Sequence, residues 1–111
     1  MRIWIAGALC LSACASPYKQ RPAETDALLD RYFSCIQREV IQTLPGSQSP
    51  YFAVDGALAS CDGDLYQIEK AHRRDGFSEE DIRVVRRITA DEGRKLAMHA
   101  AAVVMKGRQK S

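Results

Sequence analysis

The sequence predicts a small all-α domain of three helices, of which the first two form an antiparallel hairpin joined by a disulfide. Apolar residues recur at three- and four-residue spacing in three long segments, which is the period of an amphipathic helix. No stretch of useful length alternates apolar and polar residues, so no strand is predicted. The chain has 111 residues, 46% of them hydrophobic, which is enough for one core and too little for two.

An export signal is predicted at residues 1–13. Arg2 gives a positive start, and residues 3–11 (IWIAGALCL) carry no charge, over about the 7 to 15 residues expected of a signal-peptide core. Polar residues from Ser12 onward end this run well short of the roughly 20 apolar residues that span a membrane. The alternative is an N-terminal core helix, but small residues followed by Pro17 suit a cleavage region better.

The tetrapeptide Leu11-Ser12-Ala13-Cys14 follows directly and resembles the lipobox of bacterial lipoproteins at every position. The resemblance implies cleavage between Ala13 and Cys14, a diacylglyceryl group on the Cys14 thiol and an acyl chain on the new amino group. Two or more acyl chains give a stable membrane anchor, whereas one alone does not. Cys10 lies within the segment that is removed. The resemblance covers only the first 14 or so residues.

The residues after Cys14 indicate which membrane carries the protein. In Gram-negative lipoproteins an Asp directly after the lipidated cysteine favours retention in the inner membrane, and this chain has Ala15 and Ser16 there. The resemblance therefore implies the periplasmic face of the outer membrane. The predicted organisation is a signal peptide at 1–13, a lipidated cysteine and tether at 14–21, a helical domain at 22–106 and a basic polar tail at 107–111.

The first predicted helix covers residues 22–44. Pro22 suits a first helical turn, and Glu24 and Asp26 complement the helix dipole there. The segment LPGSQSP at 44–50 ends the helix, because Pro and Gly do not continue it. The residues that form its apolar stripe are Leu28, Leu29, Tyr32, Phe33, Cys35, Ile36 and Val40.

The second predicted helix covers residues 51–74. Gly56 and Gly63 each weaken it by roughly 1 kcal/mol, so a break near residues 61–64 is the alternative to one continuous helix. The residues that form its apolar stripe are Val54, Leu58, Cys61, Leu65, Ile68 and His72.

Cys35 and Cys61 are expected to form the disulfide of this hairpin. They are an even pair once Cys10 is removed and Cys14 is acylated, and an exported protein lies in an oxidising compartment. A bridge that closes a loop of about 26 residues stabilises a domain by roughly 3 to 4 kcal/mol. The chain has no Cys-x-x-Cys spacing, so the bridge indicates a staple and not a redox centre. The alternative is two buried free thiols.

The third predicted helix begins after the stop at Asp75-Gly76. Ser78 is expected to cap the amide of Asp81, with Phe77 packing on Ile82 as a hydrophobic staple. The alanine-rich stretch at 97–104 allows close approach to a neighbouring helix, and the helix is expected to fray at Gly107. The residues predicted to face the core are Ile82, Val85, Ile88, Leu96 and Val103.

No residues are spaced as a known catalytic or metal-binding motif requires. His72 and His99 lack the four-residue spacing of a helical zinc pair. A calcium loop starting at Asp62 would place Arg73 where its twelfth-position acidic ligand belongs. Motifs for an activated nucleophile or a phosphate-binding loop do not occur. The sequence thus predicts no enzyme, no metal and no cofactor apart from the lipid on Cys14.

Charge is divided unevenly along the chain. Residues 14–69 hold 4 basic and 8 acidic side chains, whereas residues 70–111 hold 11 basic and 6 acidic ones. Arg86, Arg87, Arg94 and Lys95 are therefore predicted to offer a surface to an acidic partner, such as cell-wall carboxylates, lipid headgroups or an acidic protein. The alternative is the solvated side of an amphipathic helix. A net charge of +2 argues against nucleic acid as a partner.

Two functions remain open at the level of sequence. One is a lipid-anchored envelope protein with a structural or protein-interaction role. The other is a periplasmic module that binds a small apolar ligand between its helices or inhibits an envelope hydrolase. An apolar pocket in the structure would favour the second, and a solid core with an exposed apolar patch would favour the first.

Overall fold

The computed structural model describes residues 23–109, which are almost entirely helical. They form α1 (Ala23–Thr43), α2 (Pro50–Ser60), α3 (Asp62–Arg74) and α4 (Glu79–Gln109), with a 3₁₀ turn at Leu44–Gly46 and no strand among them. The predicted all-α class is confirmed. None of these helices is both long and apolar enough to cross a bilayer. The predicted signal peptide, the Ala13/Cys14 processing and lipidation site, the tether and residues 110–111 lie outside the described residues.

The chain segment α2–α3 runs antiparallel to α1. Near the start of α1, Glu24 pairs with Arg74 at the end of α3. In the middle of α1, Cys35 is bonded to Cys61, which lies between α2 and α3, with their Cα atoms 6.0 Å apart. Residue numbers therefore fall along α2–α3 as they rise along α1, which is the arrangement of a hairpin. The predicted disulfide is confirmed.

Helix α4 runs antiparallel to α3 and α2 and therefore parallel to α1. Arg86 pairs with Glu69 of α3, and eight residues later Arg94 pairs with Asp55 of α2 at 3.1 Å. At about 1.5 Å per residue, the 31 residues of α4 extend for about 46 Å. One long helix thus lies alongside two shorter ones.

The prediction of three helices is wrong in count, because the second predicted helix is two. Cys61 separates α2 from α3 with φ −98° and ψ 6°. Its N–H donates to the carbonyl of Ala57 at 3.0 Å, and its own carbonyl accepts from the N–H of Asp64 at 3.1 Å. Asp62 and Asp64 stand in the first turn of α3, where carboxylates complement the dipole, and Gly63 lowers the cost of the break.

The core lies where α1, α2, α3 and α4 meet. Its largest fully buried side chains are Tyr32, Ile36, Val40, Val54, Cys61 and Ile68, all members of the helical stripes or flanking them. Leu44 closes this core at the end of α1. The apolar stripes of the first two predicted helices therefore contain the residues that the hairpin contributes to the core.

The predicted core face of α4 is only partly right. Ile82 is buried, and Val85 and Leu96 are half-buried, but Ile88 and Val103 are each 57% exposed. The face that packs on the hairpin instead carries small side chains. Its buried members after Ile82 are Thr89, Gly93, Ala97, Ala100 and Ala101. The expected close approach along the alanine-rich stretch is borne out by these burials.

The start of α4 follows the predicted cap. Ser78 Oγ accepts the backbone N–H of Asp81 at 3.1 Å. Gly76 has φ +90° in the preceding turn, a conformation that favours glycine. The ring of Phe77 stacks on His72 with centroids 4.6 Å apart, so its aromatic contact is to α3. At the other end α4 continues through Gly107 to Gln109.

Candidate binding cleft

A cleft of about 700 Å³ opens between α1 and α4 at the end of the bundle where the described chain begins. Leu29 and Phe33 of α1 form one wall, and Val85 and Ile88 of α4 form the other. Small-molecule sites in proteins span about 300 to 1,000 Å³ and are lined mainly by apolar groups. The cleft has the size and lining of such a site.

The spacing of α1 and α4 beside the cleft is set by Gly93. A Cβ atom at this position would lie 2.8 Å from Ile36 Cδ1 and 2.9 Å from Tyr32 Oη. The two helices therefore touch here as closely as a glycine permits. Glu92 and Phe33, which line the cleft, are the sequence neighbours of this contact, so the cleft begins where the close contact ends.

The end wall of the cleft is the turn between α3 and α4. His72 and Phe77 line it as a stacked pair, together with Asp75. Phe77 remains 41% exposed and Ile88 57% exposed, which leaves the cleft open to solvent on this side. An apolar group entering from solvent would cover both side chains.

Two ion pairs hold this end of the bundle together. Arg73 donates to Glu79 through Nε at 2.7 Å, which joins α3 to the start of α4, and Arg74 joins α3 to Glu24 of α1. The hydrogen bond to Glu79 raises the pKa of Arg73, and the same bond lowers the pKa of Glu79. The hydrogen bond to Glu24 likewise raises the pKa of Arg74. The guanidinium groups nearest the cleft are thus already engaged.

The polar groups of the cleft lie in two places. Thr25 and Thr89, which line the cleft, are buried, 2% and 7% exposed. Asp75 and Glu92 are exposed and place carboxylates at its edge. Lys95 Nζ lies 3.5 Å from Glu92, so this edge carries a cation as well as carboxylates.

The predicted acidic-partner residues do not form one open surface. Arg86 is held by Glu69 and also lies 3.2 Å from Asp62, and the hydrogen bond to Glu69 raises its pKa. Arg94 pairs with Asp55. These contacts direct two of the four predicted cations towards α2 and α3.

The other two predicted cations differ from each other. Lys95 Nζ lies 3.5 Å from Glu92 one turn earlier on α4. Arg87 is exposed and has no ion-pair partner among residues 23–109. The opposite charges of the two halves of the chain thus meet in part within the molecule.

Three exposed apolar residues lie towards the opposite end of the bundle. The ion pair between Arg94 and Asp55 fixes the register of α4 against α2. Phe52 lies about one turn from Asp55, and Met98 one turn from Arg94, in the same direction because the helices are antiparallel. Met105 continues this line on α4. We call these three exposed residues, Phe52, Met98 and Met105, the distal stripe.

Sequence analysis missed the residues that shape the cleft. Thr25, Thr89 and Gly93 do not register in an apolar pattern, yet they lie on the α1 and α4 faces that meet. A signal that could have found Thr89 and Gly93 is the recurrence of small residues every four positions along α4, at 89, 93, 97 and 101. Within residues 23–109 no three His, Cys, Asp or Glu side chains are grouped as metal ligands. No protein family, curated protein or solved structure matches the chain.

Proposed function

We propose that the protein is a lipid-anchored binding protein of the bacterial cell envelope, and that the cleft between α1 and α4 is its binding site. The observation that carries the binding role is an open cleft of about 700 Å³ with apolar walls. The lipobox-like sequence at Cys14 and the disulfide, which persists in oxidising compartments, support the envelope location. The proposal assigns the chain no catalytic role and no cofactor beyond its own lipid.

The anchor follows from the chemistry proposed at Cys14. A protein with two or three acyl chains stays on its membrane, and the residues after Cys14 favour the periplasmic face of the outer membrane. Replacing Cys14→Ser should leave an uncut precursor without lipid, as measured by mass spectrometry of the membrane fraction. Recovery of the variant as a cleaved, acylated chain, like the unchanged protein, would contradict the lipobox assignment.

The binding site is tested by placing a photo-crosslinking amino acid at position 88, on the open side of the cleft. A discrete adduct is expected from cells carrying this protein, because an occupant of the cleft covers Ile88. The matched control places the same group at Tyr66, which is 52% exposed on α3 and does not line the cleft. A cleft-filling change, Val85→Trp on the α4 wall, should remove the adduct. Equal adducts from positions 88 and 66 would contradict a specific site.

A structural or protein-interaction role is the second candidate, and the distal stripe supports it. Methionine and phenylalanine are frequent at protein interfaces, and Phe52 is 68% exposed. The test is Phe52→Ser with Met98→Gln, which should weaken capture of a partner by a crosslinker at Met105. If capture persists unchanged, the stripe is not the contact.

The acidic-partner hypothesis now depends mainly on Arg87. Neutralising Arg86 or Arg94 would break contacts inside the protein as well as any outside it. Arg87→Gln is the cleaner change, and it should reduce association with envelope material at low salt more than at high salt. No difference from the unchanged protein at either salt concentration would remove this surface from consideration.

A further inference from the structure

We propose that two copies of this chain pair through the solvent-facing side of α4, with the two α4 helices antiparallel. This inference rests on the second candidate function, the interaction role, and gives that role a partner. It does not depend on the cleft between α1 and α4. A stripe of exposed residues carries it, because the charged and apolar members of this stripe complement the same stripe turned end to end.

The stripe follows the side of α4 that points away from the hairpin. Gly93 faces Tyr32 and Ile36 of α1, and positions 91 and 95 lie about 200° round the helix from it. From these two positions exposed residues continue in both directions at alternating three- and four-residue spacing, which is the spacing of a coiled-coil seam. We call this set the outer stripe, and its members are Val84, Ile88, Asp91, Lys95, Met98 and Ala102.

The outer stripe is apolar at both ends and charged in the middle. Val84 is 47% exposed, Ile88 at the edge of the cleft is 57% exposed, and Met98 is 37% exposed. Apolar residues left exposed at this spacing along a helix are typical of a face that packs on another helix. The two central positions hold Asp91 and Lys95, which carry opposite charges.

Charge selects an antiparallel pair with a twofold axis at residue 93. In this arrangement Asp91 faces the partner's Lys95, and by symmetry Lys95 faces the partner's Asp91. The flanking layers contain only apolar residues, because Ile88 faces the partner's Met98 and Val84 faces the partner's Ala102. From residue 84 to residue 102 the paired helices are in register over about 27 Å.

Other arrangements of the two stripes place their charges unfavourably. In a parallel pair Asp91 would face the partner's Asp91, and Lys95 would face the partner's Lys95, so like charges would repel. Sliding the antiparallel pair by seven residues would place Lys95 against the partner's Met98 or the partner's Val84, depending on direction. Its ammonium group would then lose water without gaining a carboxylate. The register centred on residue 93 avoids both faults.

The present contact of Lys95 does not prevent this pairing. Lys95 Nζ lies 3.5 Å from Glu92 of its own helix, and both side chains are more than half exposed. Exposed pairs of this kind contribute little to stability, so Lys95 can turn towards the partner's Asp91.

The register is tested with a photo-crosslinking amino acid at position 84 of the full chain, in membranes of cells that produce it. The adduct should have twice the mass of the chain, and mass spectrometry should join position 84 to the peptide that contains the partner's Ala102. A crosslinker at position 102 should reach the peptide that contains the partner's Val84. The control at Tyr66, which is exposed on α3, should give no dimer. A link from position 84 to the partner's Val84, or no dimer from either position, would overturn the inference.

Charge reversal tests why the pair forms. Asp91→Lys leaves only cations in the central layers, and Lys95→Glu leaves only carboxylates, so each variant alone should lower the yield of dimer by about tenfold. Produced together in one cell with different C-terminal tags, the two variants should pair with each other, because each supplies the charge that the other lacks. Recovery of this mixed dimer also shows that both variants fold.

The matched control for charge is Lys70→Glu, which changes the net charge by the same amount as Lys95→Glu but lies on α3, and it should leave the yield unchanged. Single variants that dimerise like the unchanged protein, or a mixture that does not recover the dimer, would overturn the inference. In that case a different protein captured at Met105 would still support the interaction role, and the occupant of the cleft is tested separately at position 88.

Discussion

Gly93→Ala is the change that most directly tests how α4 packs on the hairpin. The added methyl carbon would stand 2.8 Å from Ile36 Cδ1, 2.9 Å from Tyr32 Oη and 3.1 Å from Tyr32 Cε2. Carbon atoms in contact prefer about 3.5 to 4.0 Å, so something must move. Ile36 is 0% exposed and Tyr32 1% exposed, so both side chains would have to shift within the core and not towards solvent.

Two terms of opposite sign decide the outcome. Alanine is more favourable than glycine inside a helix by about 1 kcal/mol. Overpacking a closely packed core costs about 1 to 3 kcal/mol. The packing term is the larger, so Gly93→Ala should lower the free energy of unfolding by about 1 kcal/mol, which corresponds to a Tm lower by about 4 to 8 °C in a domain of this size.

Gly56→Ala is the matched control. Gly56 lies inside α2, and a Cβ atom there meets nothing within 4 Å. Only the helix term applies, so this variant should be more stable than the unchanged protein by up to about 1 kcal/mol. Thermal unfolding followed by circular dichroism, and urea unfolding, measure both variants under the same conditions. The same substitution in two helices is thus expected to have opposite signs.

A further pair of variants identifies the atoms responsible. Ile36→Val removes Cδ1, the atom nearest the added methyl carbon, and by itself should cost about 0.5 to 1.5 kcal/mol. In the Gly93→Ala background it should cost less, because it relieves the contact, and the difference is a coupling energy. The reasoning would be refuted if Gly93→Ala were as stable as Gly56→Ala, or if Ile36→Val cost the same in both backgrounds.

Three other predictions concern the rest of the core and its charges. Replacing both Cys35 and Cys61 by Ser should lower the free energy of unfolding by about 3 to 4 kcal/mol, because the bridge closes a sequence separation of 26 residues; urea unfolding checks this, and a loss below 1 kcal/mol would contradict it. Burial, and then the charge of Asp62, raise the pKa of Tyr32, with Arg86 opposing. The folded state therefore keeps the phenol proton longer than the unfolded chain, so stability should fall as pH rises above about 10, and Tyr32→Phe should show a smaller fall in Tm between pH 9 and 11. A double-mutant cycle of Arg86→Gln and Glu69→Gln should give a coupling of about 1 kcal/mol, because the Glu69 side chain is only 13% exposed; a coupling near zero would make the pair incidental.

The hairpin could be predicted from sequence because large side chains mark its buried face. Tyr32, Ile36 and Val40 recur at four-residue spacing on α1. Leu65 and Ile68, three residues apart, mark the buried face of α3. Their size makes the apolar period visible. The disulfide was predicted from the even pair of cysteines left for an oxidising compartment, and the position of both cysteines in these stripes agrees with it.

The packing face of α4 could not be predicted in the same way. Thr89, Gly93 and Ala97 pack there because the hairpin already presents Tyr32 and Ile36, and a close contact needs one large and one small partner. The larger apolar residues of α4, such as Ile88, lie on the flank of the helix and not on its packing face. There they form the cleft wall, so the error in predicting the core and the failure to predict the cleft have one cause.

The break at Cys61 gives the uneven distribution of charge a structural explanation. Helices α2 and α3 meet at Cys61, whose ψ of 6° departs from the helical value, and α4 spans both without interruption. Arg94 pairs with Asp55 of α2, and Arg86 pairs with Glu69 of α3, so a carboxylate on each side of the break is paired with a guanidinium group of the same helix. Part of the opposite charge in the two halves of the sequence is therefore paired within the molecule. Since the same helix also forms one wall of the cleft, the position of that wall is fixed by Gly93 on the α1 side and by these ion pairs on the other.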